Sequence, residues 1–159
     1  GIGRQVFRFD VPFGTAPPRR PRLAPTPDVA VVGPYTVRFD SLHLAAGSMT
    51  MLNVRITKDG KPANDLHPYL GGAAHAVFIN AGDYAYLHVH PMAAGDMSSM
   101  SAMGAASEGG EMRDLPPSAK VSPQMMLHVT APAAGTYKLW LQFRGGSALY
   151  VAPFVLTAS

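Results

Sequence analysis

His75-Ala-Val-Phe-Ile79, Asn80-Ala-Gly-Asp83 and Tyr84-Ala-Tyr-Leu-His-Val-His90 follow one another without interruption. The outer two segments are apolar and rich in β-branched and aromatic residues. The middle one is built from turn formers. Such a triplet predicts a β-hairpin. If Ile79 pairs with Tyr84, Val77 falls opposite Tyr86 and His75 opposite His88. His90, two residues further, projects from the same face because side chains alternate along a strand. Opposed positions have Cβ atoms roughly 5 Å apart, and a two-residue step along a strand covers roughly 7 Å. Three imidazoles at those separations can close on one ion. The hairpin predicts both a β fold and a metal site.

The same alternation recurs on either side of the hairpin. Tyr35-Thr-Val-Arg-Phe39 alternates, as does Met51-Leu-Asn-Val-Arg-Ile-Thr57, with Leu52, Val54 and Ile56 on one face. Lys58-Asp-Gly-Lys-Pro62 carries strong turn chemistry. Beyond the hairpin, residues 92–124 lack periodicity and are rich in Gly, Ser, Ala and Met, a length without structure that suggests a functional or mobile loop. Pattern returns with Met125-Met-Leu-His-Val129, Thr136-Tyr-Lys-Leu-Trp-Leu-Gln-Phe143 and Ala148–Thr157. Strands are therefore expected near 35–44, 49–57, 75–80, 84–90, 125–130, 136–143 and 148–157, with no amphipathic helix among them. That spacing predicts an all-β, antiparallel sandwich of immunoglobulin-like or cupredoxin-like type.

Composition agrees and excludes several chemistries. The chain has 159 residues, enough for one domain with an ordinary core. Its 15 prolines and 16 glycines suit short strands and turns rather than a helical bundle. With no cysteine, thiolate metal sites, disulfides and cysteine nucleophiles are all excluded. Charged residues make up only 14% of the chain, a low share that suits an exported protein. The net charge is +3 and the basic residues are scattered apart from Arg19-Arg20-Pro21-Arg22, so no nucleic-acid footprint is present. No stretch is long and apolar enough to span a bilayer. Residues 11–34 contain seven prolines. They suggest that residues 1–33 form a stalk or surface arm, with a membrane anchor upstream of Gly1, and that 34–159 form the sandwich with a Met-rich loop at 92–120.

Several segments together resemble a known group. These are Asp65-Leu-His-Pro-Tyr-Leu-Gly-Gly-Ala-Ala-His75, Tyr86-Leu-His-Val-His-Pro91, Gly135-Thr-Tyr-Lys-Leu-Trp-Leu-Gln-Phe143 and Ala152-Pro-Phe-Val-Leu156. They resemble a poorly characterised family of exported bacterial sandwich domains of secreted or heavy-metal-binding type. The resemblance covers roughly residues 35–157. It implies the sandwich fold, an extracytoplasmic location (secreted, periplasmic or cell-surface anchored), and family histidines at His75, His88 and His90. His67 stands where such proteins often carry an acidic or amide residue.

Imidazole suits copper, zinc and nickel, whereas thioether sulfur favours Cu(I). Met92 follows the His-Val-His-Pro motif directly, and Met97-Ser-Ser-Met-Ser-Ala-Met103 spaces sulfurs three apart. That spacing resembles the copper-handling segments of exported bacterial proteins. The candidate ligands are His75, His88 and His90, with His128, His67, Met92, Met97, Met100 and Met103 as possible completions. Copper, as Cu(I) or Cu(II), is expected ahead of zinc, with a copper donor or acceptor protein as partner. Catalysis is not expected. Asp65, Asp83 and Glu108, the available bases, fall in turns or loops without a motif, and no phosphate loop or serine elbow is present. The alternative is a cell-envelope interaction module presenting Trp140, Tyr150 and the methionine loop, with structural histidines. His43 is expected to take no part in either.

Overall fold

The computed structural model describes residues 9, 14, 23–93 and 114–159. Among these residues there is no helix, and the strands form two sheets packed face to face. The first sheet runs β1 (Val29–Val32), β2 (Tyr35–Phe39), β4 (Met49–Lys58), β10 (Gln124–Thr130) and β9 (Met92–Ala93), with the short β5 (Lys61–Pro62) beside β4. The second runs β3 (His43–Leu44), β12 (Ala148–Ala158), β11 (Gly135–Gly145), β7 (His75–Asn80) and β8 (Tyr86–Val89), with β6 (Leu66–His67) beside β11. All pairings are antiparallel except β3 with β12. The expected sandwich is what the chain forms.

Period-two alternation builds the core. Leu52, Val54 and Ile56 of β4 and Met125 and Leu127 of β10 line the interior from one sheet, and Phe78 of β7, Leu139, Leu141 and Phe143 of β11 and Phe154 of β12 line it from the other, all nearly inaccessible. Each such side chain contributes roughly 1.5–3 kcal/mol on burial. Phe39 and Phe154 join the two sheets edge to face, centroids 5.0 Å apart at 87°. Trp140 has the opposite parity to Leu139 and Leu141 and lies on the outer face, where the Lys138 ammonium sits 5.8 Å from its ring centroid. Tyr150 is half-buried. It stacks on Phe143 at 5.6 Å, and its ring fills the space where a Cβ on Gly33 would sit.

Three boundaries differ from the sequence reading. Residues 35–44 are not one strand: Asp40-Ser41-Leu42 breaks the run, sending β2 to one sheet and β3 to the other. The hairpin strand begins at Tyr86 rather than Tyr84. The supposed arm ends inside the fold, since Val29–Val32 pairs in register with Tyr35–Arg38, and Ala30 and Val32 pack on the core. Even Thr26 is tied down, its amide donating to the Val155 carbonyl and its hydroxyl accepting from the Val155 amide. The Val-Ala-Val-Val run after Pro27 carries β-propensity of its own. A chain beginning at Gly33 should therefore melt on the order of 5–10 °C below one beginning at Leu23. Equal melting temperatures would reduce β1 to a surface decoration.

Candidate metal centre

The hairpin turn is longer than the sequence suggested, and the register follows it. Buried Asn80 closes β7, and its Oδ1 accepts from the Gly82 amide at 2.7 Å. Tyr84 takes a left-handed conformation at φ 62°, which removes it from the ladder. Ile79 thus pairs with Tyr86 and Val77 with His88, two residues away from the expected register. A shift of two preserves parity. His75, His88 and His90 still share the outer face of the sheet, at its β7–β8 edge.

One ring nitrogen from each histidine lies within 4.8 Å of the others. His75 Nδ1 and His88 Nε2 are 2.9 Å apart, with the two rings stacked at 15°. The His90 ring stands nearly perpendicular to both, at centroid distances of 4.5 and 4.7 Å. His75 is buried, and His88 and His90 are half-buried. The cluster is sheltered on one side and accessible on the other.

The Tyr-Leu-Gly-Gly segment acquires a role here. Tyr69 and Gly72 exchange both backbone hydrogen bonds, at 2.9 and 3.0 Å, around Leu70 at φ 46° and Gly71 at φ 80°. Positive φ at both central residues is the type I′ hairpin turn, ordinarily the province of Asn and Gly. A leucine there is strained. The turn delivers the Tyr69 carbonyl to His75 Nε2 at 2.7 Å and the Tyr69 ring edge-on to the imidazole. A carbonyl only accepts, so Nε2 carries the proton and the Nδ1 lone pair points at His88. Backbone carbonyls that orient an imidazole in this manner are the usual second support of a histidine metal ligand. Asp114 and Leu115 brace the turn. Leu115 N donates to the Gly71 carbonyl, and the Asp114 carboxylate fills the place of a Gly71 Cβ.

The other candidates fall elsewhere. His67 is exposed on β6 across from Arg144, outside the cluster. His128 lies in the other sheet, opposite Met51, and Met92 lies in that sheet opposite Met126. Met97, Met100 and Met103 lie outside the described residues, as does Glu108. Of the possible bases, Asp83 Oδ1 accepts from the Ala85 amide within the hairpin turn. Asp65 accepts from Tyr35 Oη at 2.8 Å and from the Lys58 ammonium. Neither serves the histidines. Sequence reasoning missed the Tyr69 carbonyl and Gln142, which lies directly across from His75. Gly71-Gly72 directly after Tyr69-Leu70 was the available signal for the first, since glycine marks tight turns.

The hydrogen bond from Lys58, then that from Tyr35, hold the Asp65 carboxyl below its ordinary value of 3.8, against the opposing effect of burial. A depressed carboxyl contributes stability that is present above the unfolded value and lost as pH falls through the folded one. Asp65→Asn should therefore flatten the loss of stability below about pH 3.8, read as denaturation midpoints at neutral and acid pH. An acid limb as steep as that of the parent chain would count against the argument.

Residues 30–159 match the family described as a domain of unknown function, DUF8832. The chain belongs to that family. No curated protein matches it. Among solved structures, the DUF8832 chain is similar to the soluble domain of PmoD from Methylocystis sp. ATCC 49242 (Rockwell), at a TM-score of 0.44 and 14% identity, over 84% of this chain and 98% of that one.

Proposed function

We propose that this protein is an extracytoplasmic copper-binding protein, acting in copper trafficking, sequestration or tolerance rather than catalysis, and that His75, His88 and His90 are its ligands. The observation that carries the reading is the convergence of three ring nitrogens within 4.8 Å on a sheet edge, one of them oriented by a backbone carbonyl. An all-nitrogen set with no thiolate and no carboxylate suits copper, which binds such ligands more tightly than the other first-row divalent ions. The low charged fraction suits a location outside the cytoplasm. The partner that suits such a site is a copper donor or acceptor protein.

The test is metal uptake by the purified protein, measured by elemental analysis after equilibration with Cu(II), Cu(I) under reductant, or Zn(II), followed by chelator competition. One tightly held copper that withstands excess zinc is the expected result. His43→Ala serves as the control, because its ring nitrogens face Thr157 Oγ1 and Ser159 Oγ at 3.3 and 3.2 Å, away from the cluster. Retention of neither copper nor zinc at micromolar concentration would overturn the reading. The interaction-module alternative draws on the outer face beside the histidines, where Tyr86 and Val151 are each 39% exposed near Trp140. It would then take precedence.

A further inference from the structure

A different corner of the sandwich gathers sulfur. Of the five methionines among the described residues, only Met125 belongs to the core. In β10, Met125, Leu127 and Val129 point inward, so Met126 and His128 face outward; in β4, Leu52 and Val54 point inward, so Met49, Met51 and Asn53 face outward. The register sets Met51 directly opposite His128, and Met126 directly opposite Met92 of β9. Opposed Cβ atoms lie roughly 5 Å apart and successive same-face positions roughly 7 Å apart. Unbranched thioethers with three rotatable bonds reach across those gaps easily. Elsewhere on this face β4 and β10 carry the expected polar residues: Asn53, Arg55, Thr57, Gln124 and Thr130.

A second observation concerns the imidazole itself. His128 Nδ1 is buried without a hydrogen-bond partner, although its ring sits on the solvent side of the sheet. A buried polar nitrogen left unsatisfied costs roughly 1–3 kcal/mol and calls for an explanation. The residue directly opposite it is Met51, and the preceding position on its own face of β10 is Met126.

We propose a second metal site on the outer face of the β4–β10–β9 sheet, in which His128, Met51, Met126 and Met92 bind a soft monovalent cation, Cu(I). Thioether and imidazole together select Cu(I) over harder ions. No Asp or Glu occupies the facing positions of β4 and β10, and Arg55 stands nearby, so hard divalent cations gain nothing there. The site does not depend on the three-histidine centre holding copper. It adjoins that centre along the chain, since only Pro91 separates His90 from Met92.

The experiment uses the full chain with Met97, Met100, Met103 and Met112 changed to Leu, which removes the sulfurs between residues 94 and 113, and with His88→Ala to weaken the histidine centre. Cu(I) competition under reductant and X-ray absorption at the copper edge are then read. One Cu(I) with sulfur neighbours is expected to remain. Adding Met51→Leu and Met126→Leu should weaken it by at least the roughly tenfold that loss of an outer-shell partner costs and remove the sulfur signal. Met51→Leu alone, at a position 56% exposed, gives a weaker shift without touching the core. Cu(I) bound without sulfur, or unchanged binding in the Leu variants, would overturn the site. So would loss of all Cu(I) on His88→Ala alone, which would make the two centres one. Failure of the histidine reading shows differently, as a parent chain that binds Cu(I) through sulfur and no Cu(II).

Discussion

Changing His88 to Ala is expected to lower copper affinity by more than the roughly 10–100-fold that outer-shell partners of a metal contribute, while the sandwich stays folded. His88 is the informative position because it supplies a ring nitrogen 2.9 Å from His75 Nδ1 yet is only half-buried. Its removal deletes a ligand without opening the core. His75 is a poorer choice. It is buried, bonded to Tyr69 and stacked among three other rings, so its loss would disturb packing and binding together. Chelator competition on parent and variant at neutral pH measures the difference. Protons compete for imidazole nitrogens, so the parent's affinity should also fall as the solution is acidified. Equal affinities for parent and variant would exclude His88 from the coordination sphere.

The largest effect on stability is expected at Phe154. This residue is 2% exposed, lies opposite Leu139 on β11, and meets Phe39 of the other sheet edge to face. Phe154→Ala removes a ring that touches both layers, and large-to-small changes of this kind cost about 3–5 kcal/mol. Domains of ordinary stability hold about 5–15 kcal/mol. The variant should show a much lower denaturant midpoint at an unchanged slope, since the surface exposed on unfolding is nearly the same. A loss below about 1 kcal/mol would mean that the two sheets collapse onto the gap.

Much of this was legible from residue order, and the reasons for the rest are specific. Alternation in β4, β10, β11 and β12 reports burial of one face, so strands and core residues such as Leu52, Leu127 and Leu141 could be read directly. The histidine face was also legible, because parity survives an even register error. The register itself was not, since it depended on Tyr84 adopting φ 62° and on the Asn80 side chain accepting from the Gly82 amide. Nothing in a linear pattern tells which sheet a strand joins. The division of residues 35–44 between two sheets escaped the reading for that reason, as did the pairing of Met92 with Met126. Trp140 was undecidable from alternation with leucines on both sides.

The passage of the chain at Pro91 has a consequence for how the molecule breathes. β8 is the edge of one sheet and β9 the edge of the other, and a proline joins them without a ladder amide of its own. Edges of this kind are where native proteins open locally, at a fraction of the global unfolding free energy. Here the two edges are one continuous piece of chain. A single fraying event that freed β8 and β9 together would carry His88 and His90 away from His75, which is paired through β7 with β11. An ion held by all three histidines would act as a latch on that seam. It would raise the cost of opening by about 2.7 kcal/mol at a free concentration one hundred times its dissociation constant. The exchange of metal with a partner and the breathing of the sandwich edge would then be the same motion.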